Sequence, residues 1–118
     1  MNEHEKINYI EFPANNIEAN KEFFTTVFGW KFVDYGPEYT SFSTDGIDGG
    51  FFQSDLSSTT ENGCALIVFY SNDLENTQTK IVDAGGKIVK PIFSFPGGRR
   101  FHFADPSENE YAVWSEET

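Results

Sequence analysis

Cysteine is almost absent from this chain. Cys64 is the only one in 118 residues, so no disulfide closes within it. Positive charge is also scarce: 8 Lys and Arg stand against 19 Asp and Glu, a net charge of −11. Nucleic acids and anionic membrane surfaces both recruit Lys and Arg, so neither is an expected partner. Long hydrophobic runs are missing too. No apolar stretch approaches the roughly 20 residues that span a bilayer. The opening segment Met1 to Lys6 is polar and charged, without the apolar core of a signal peptide. A cytoplasmic location is the expectation. No Walker A loop, G-x-G-x-x-G, H-E-x-x-H or G-x-S-x-G pattern occurs.

What the chain does have is aromatic rings. Aromatic residues make up 17% of it and 13 are Phe, within a total apolar share of 38%. Large flat rings must build the core, and some are available to line a cavity. The length suits one compact domain able to bury a core without staples. The acidic balance keeps such a domain soluble and is compatible with a cationic or metal-bearing small ligand.

The strongest organisational signal is an internal duplication. Asn15-Asn16-Ile17-Glu18 recurs as Asn72-Asp73-Leu74-Glu75, an offset of 57 residues. Each copy reads as a helix start, with Asn15 and Asn72 as N-caps and Glu18 and Glu75 at the third helical position reaching back. Each follows a strand-like run, Ile7 to Pro13 and Ala65 to Tyr70. Each helix ends at glycine, Gly29 in the first copy and Gly85-Gly86 in the second. Short strands follow: Trp30 to Tyr35, Tyr39 to Thr44 and Gly50 to Gln53, then Lys87 to Phe95, Arg99 to Phe103 and Glu110 to Trp114. Gly36-Pro37, Asp45-Gly46, Pro96-Gly97-Gly98 and Asp105-Pro106 mark the turns. Cys64 opens an apolar run and is expected to be a small buried hydrophobe.

The expected fold is therefore α+β: one domain, residues 1–118, made of two βαβββ repeats. Unit one covers about 5–54, a linker about 55–63, and unit two about 64–116. Helices on one side of curved mixed sheets would leave the other side as a bowl-like cavity.

The string Ile10-Glu11-Phe12-Pro13-Ala14-Asn15-Asn16, then Phe23-Phe24 and Phe28-Gly29-Trp30, resembles the opening of vicinal-oxygen-chelate proteins, the glyoxalase/bleomycin-resistance/dioxygenase superfamily. Gly85-Gly86-Lys87-Ile88-Val89, Asp105-Pro106-Ser107-Glu108-Asn109 and Val113-Trp114 extend the likeness over Ile7 to Trp114. The branch most resembled is the one related to lactoylglutathione lyase. The resemblance implies a homodimer, a small-molecule ligand and, in many members, a divalent metal held by His, Gln or Glu on the first and last strands of each unit. Counting from the helix caps and the Asp turns, those positions fall on Tyr9, Phe52, Leu66 and Ala112. Leu, Phe and Ala offer no donor. A divalent metal is therefore disfavoured, no cofactor is expected, and no residue is assigned to a metal.

Alternation along the strands supplies the remaining candidates. It puts Ile7, Tyr9 and Glu11 on one face of the first strand, with Ile10 and Phe12 beneath a helix. It puts Arg100 and His102 opposite the inward-facing Phe101 and Phe103, and Trp114 beside Ala112. Glu11 and His102 are the candidate catalytic acid–base groups. Arg100 suits a ligand carboxylate, and Trp114 a planar ring or a dimer contact. Tyr9, Phe52, Leu66 and Ala112 complete the candidate ligand-binding wall. Three functions follow. The first is a small-molecule binding protein without the family metal. The second is an isomerase, lyase or epimerase acting beside a carbonyl through Glu11 or His102. The third is a non-catalytic interaction module whose bowl is filled by Phe52, Leu66 and Trp114.

Overall fold

The computed structural model describes residues 2–116. Unit one runs β1 (Tyr9–Ala14), α1 (Ile17–Phe28), β2 (Lys31–Asp34), β3 (Tyr39–Ser43) and β4 (Asp48–Gln53). Unit two repeats the order as β5 (Ile67–Tyr70), α2 (Leu74–Asp83), β6 (Lys87–Phe95), β7 (Gly98–Ala104) and β8 (Glu110–Glu116). Each unit folds into a four-stranded sheet, ordered β1-β4-β3-β2 and β5-β8-β7-β6. In each, the first strand pairs parallel with the last and the other pairings are antiparallel. A parallel pair cannot be joined by a tight turn, and the helix and two middle strands supply the crossover.

The helices begin one residue later than the sequence pattern suggests. Asn16, not Asn15, caps α1, its Oδ1 accepting from Ala19 N. Asp73, not Asn72, caps α2 by accepting from Asn76 N. Glu18 and Glu75 consequently sit at the second helical position. There they favour the positive end of the helix dipole rather than closing a capping box. Helix α1 ends at Gly29, whose φ of 72° is left-handed, and its N–H returns to Thr25 O. That conformation is open to glycine at little cost.

The first strands also start later than the apolar runs do. Ile7 precedes β1 and is 88% exposed. Cys64 precedes β5 and is exposed, not buried as its apolar run suggests. The 54–63 segment stays close to unit two instead: Ser58 N donates to Asn109 Oδ1, and Glu110 N donates to Ser58 O.

One core serves both units. Phe12, Phe42 and Phe51 of the first sheet, Phe101, Phe103, Tyr111 and Val113 of the second, and Ile17, Phe23, Phe24, Val27, Leu74 and Ile81 of the helices are all buried. Each such side chain contributes about 1.5–3 kcal/mol on burial. Rings stitch the units together: Phe28 stacks on Phe69 at 4.4 Å, and Tyr111 lies 5.3 Å from Phe12 and 5.4 Å from Phe24. All of these residues lie on the helix-bearing sides of the sheets. Each sheet therefore has a second face that the shared core does not use.

Candidate functional site

Strand register defines that second face in unit two. Across β5, β8, β7 and β6, Tyr70, Trp114, Arg100 and Phe93 form one row, each opposite the next. Val68, Ala112, His102 and Lys90 form the neighbouring row. Burial separates the two kinds of side chain. Ala112, His102 and Glu110 are buried, whereas Tyr70, Val68 and Phe93 are exposed and Arg100 and Trp114 are half-buried. The outer layer is thus aromatic rings around one guanidinium, over an inner polar layer.

The inner layer is a hydrogen-bonded chain. Glu110 Oε1 accepts from both the N–H and the hydroxyl of Thr60, each at 2.9 Å. Its Oε2 lies 2.7 Å from His102 Nδ1, and His102 Nε2 lies 3.0 Å from Arg100 Nη2. A guanidinium only donates and an ionised carboxylate only accepts. His102 therefore carries its proton on Nδ1 and accepts at Nε2. Burial pushes the Glu110 carboxyl up, but the Thr60 N–H, His102 and the Thr60 hydroxyl outweigh it and hold the group below its usual value.

Arg100 is incompletely satisfied. Its Nε is buried with no hydrogen-bond partner among the described residues. No carboxylate among the described residues lies within ion-pair distance of it. Its Cζ sits 5.7 Å from the centre of the Phe93 ring. The adjacent Arg99 points the other way and pairs with Glu75 of α2.

The corresponding face of unit one has a different chemistry. Tyr39 donates to Glu11 Oε2 at 2.8 Å and lies 2.5 Å from Tyr9 Oη, so Tyr9 donates to Tyr39 in turn. Burial, the Tyr9 hydrogen bond and the Glu11 carboxylate together push the Tyr39 phenol far above its ordinary value. Gly50 makes the arrangement fit, because a Cβ there would collide with the Tyr39 hydroxyl. Phe52 lies two residues along β4 from Gly50, on the same face and half-buried. Leu66, half-buried, lies just ahead of β5.

Glu11 and His102, the two acid–base candidates, belong to separate clusters. No hydrogen bond or ring contact among the described residues joins the two second faces. The polar links between units instead run through the turn after β7, to Asn16, Asn20 and Pro13. Sequence reasoning missed Glu110: alternation puts it on the same face of β8 as Ala112 and Trp114, and the register of β8 against β7 brings it beside His102. Thr60 and Tyr39 carried no such signal. A separate cleft of about 670 Å³ opens between Ile10, Phe28, Trp30, Phe42, Ile67 and Phe69. It is a largely apolar gap at the seam of the units and contains none of the acid–base candidates.

The comparisons agree with this fold. The sequence model of the Glyoxalase/Bleomycin resistance protein/Dioxygenase superfamily matches residues 6–113, and the chain belongs to that family. It is 28% identical to the anthracycline biosynthesis protein DauV of Streptomyces sp. (strain C5), over 90% of this chain. The match covers 45% of that protein, so the chain spans about half the length of this curated relative. In fold it is similar to a glyoxalase-related enzyme from Fulvimarina pelagi, with a TM-score of 0.78, 19% identity, and 95% and 88% of the two chains covered. It is also similar to lactoylglutathione lyase from Agrobacterium tumefaciens, with a TM-score of 0.72, 16% identity, and 94% and 93% covered.

The divalent metal that this family implies does not fit the side chains at its expected positions. Phe52, Leu66 and Ala112 end in carbon, and the Tyr9 hydroxyl is engaged with Tyr39. No group of three His, Cys, Asp or Glu among the described residues is placed to hold an ion. No helix among the described residues is long and apolar enough to cross a membrane.

Proposed function

We propose that this protein binds a small organic molecule on the second faces of its sheets, without a metal at the family positions. The observation that carries this is the row Tyr70–Trp114–Arg100–Phe93, a patch of rings around a guanidinium with unused hydrogen-bonding capacity. Ligand sites combine aromatic walls with a few fixed polar groups in this way. A homodimer that sets the Glu11 face of one copy beside the Arg100 face of another would enclose the ligand between them.

The test is Trp fluorescence. Trp114 lies on the proposed surface, whereas Trp30 packs against the core. Titration with planar organic compounds of each charge type should give saturable changes that Trp114→Phe removes and Trp30→Phe keeps. Light scattering should report a dimer. Absence of saturable binding by any compound sinks the reading.

A second reading has its own support in the Tyr9–Tyr39–Glu11 chain. Glu11 ends this chain as a carboxylate that accepts from Tyr39, which accepts from Tyr9, and a carboxylate so placed can take a proton beside a substrate carbonyl. Turnover lost in a folded Glu11→Gln protein would favour that reading.

A further inference from the structure

The overall charge of −11 leads one to expect a cationic ligand, but the face of unit two carries Arg100 and Lys90 as well as the Glu116 carboxylate that accepts from Tyr70 Oη at 3.0 Å. We infer that this face recognises a planar aromatic carboxylate, with Arg100 as the group that holds the carboxylate. The inference rests on the reading above that these faces bind an organic ligand.

Three observations support it. First, Arg100 has no carboxylate at ion-pair distance among the described residues, in a chain where acids outnumber bases by more than two to one. Arg99, its neighbour, has Glu75, and Lys21 and Lys87 also have acidic partners. Second, the guanidinium is held in place without being neutralised. Glu110 fixes His102, and His102 accepts from Nη2, which orients the charge while leaving it intact. A carboxylate in the place of His102 would have cancelled it. Third, the Nε–H is buried with no acceptor among the described residues. A buried donor in that state is costly, and a shift of the guanidinium toward an acceptor from outside the chain relieves it.

The rings define the rest of the ligand. Phe93 and Trp114 flank Arg100 on the neighbouring strands, and Tyr70 lies beyond Trp114 at a ring distance of 5.0 Å. A flat apolar body lying along Trp114 and Tyr70 would bring its acidic end to the guanidinium. A carboxylate suits the site better than a phosphate. One guanidinium offers the paired donors a carboxylate needs, whereas a dianion calls for more cations than an acidic protein supplies here. Lys90, in the neighbouring row opposite His102, is offset on this face by the Glu116 carboxylate that accepts from Tyr70 Oη, which leaves Arg100 as the charge that decides. His102 and Glu110 are positioning residues in this scheme, since both are buried beneath the outer layer.

Four isosteric probes decide the matter: 2-naphthoate, its neutral amide 2-naphthamide, the cation 2-naphthylmethylammonium, and 2-naphthyl phosphate. Each is titrated against the full chain by calorimetry and Trp114 fluorescence. The carboxylate is expected to bind roughly ten- to a hundredfold tighter than the amide, the usual range for one charge-assisted hydrogen-bonded pair. Arg100→Gln should remove that preference while leaving amide binding in place. Arg100→Lys should retain part of it, which guards against a variant that merely misfolds. His102→Phe should weaken the preference without changing the affinity for the amide.

Equal binding of carboxylate and amide overturns the inference while leaving the proposed function standing. Tighter binding of the cation or the phosphate overturns it in the same way. Failure of all four probes overturns the inference, and the proposed function falls with it only when the wider panel of planar compounds also fails to bind. A dimer that dissociates in Arg100→Gln with naphthoate binding unchanged assigns the guanidinium to a carboxylate of the second copy, and also overturns it.

Discussion

Asn20 of α1 donates a 3.0 Å hydrogen bond to Asp105 Oδ2 across 85 residues of sequence, and both side chains are buried. Around this bond the turn after β7 becomes a polar knot between the units. Asp105 also accepts from Tyr111 Oη, Asn109 Nδ2 and the N–H groups of Ser107 and Asn109. Ser107 Oγ donates back to Asn20 Oδ1, and Asn109 Nδ2 reaches Pro13 O at 2.7 Å. Burial raises the Asp105 carboxyl, against donors that all favour its ionised form. Removing one member strands the others in the interior. Asn20→Ala is expected to cost about 1–3 kcal/mol, and Asp105→Ala more because it orphans several donors at once. Urea unfolding with unchanged m-values checks both. A loss near zero for Asp105→Ala would mean that water replaces the knot.

Two phenols make the protein sensitive to alkali. Burial and the Asp105 carboxylate push Tyr111 well above its ordinary value of 10.0, and Tyr39 is shifted in the same direction. An acid with a raised native pKa keeps its proton longer when folded than when unfolded. Its contribution is complete below the unfolded value and is lost as pH rises through the native one. Thermal midpoints should therefore fall steadily as pH climbs above about 10. Tyr111→Phe should flatten that fall, at the cost of some stability at neutral pH from the lost Asp105 hydrogen bond. A midpoint that stays flat well above pH 10, or a fall as steep in Tyr111→Phe as in the parent chain, would contradict the shifts.

The repeat made the fold legible, and alternation made much of the second faces legible. The caps at Asn16 and Asp73 slipped by one because Asn15 and Asn72 have equally good capping chemistry, and only tertiary packing chooses between neighbours. Cys64 was misplaced for a related reason. An apolar run predicts a strand, but not where along the run pairing begins, and here it begins at Ile67. The polar knot was hidden because Asn20 interrupts an apolar helical stripe and reads as a solvated position until Asp105 is brought to it. The Glu110–His102–Arg100 chain needed two strands in register and a linker threonine, which no single-strand pattern supplies.

The last prediction concerns metal. A native-state ligand raises the unfolding midpoint in proportion to RT ln(1 + [L]/Kd). Titrating the metal-stripped protein with Mn, Fe(II), Co, Ni and Zn is expected to leave the midpoint unchanged. Divalent ions of this group need several N or O donors converging on one point. Here Phe52, Leu66 and Ala112 present carbon, Tyr9 is committed to Tyr39, and His102 Nδ1 is committed to Glu110. Recruiting His102 would break its bond to Glu110 and release Arg100, so an ion bound there should also weaken any preference for the carboxylate probe. A strong, selective rise with one metal, abolished by Glu11→Gln or His102→Phe, would show that the ligand set has moved to those residues. It would also shift the balance from binding protein to enzyme.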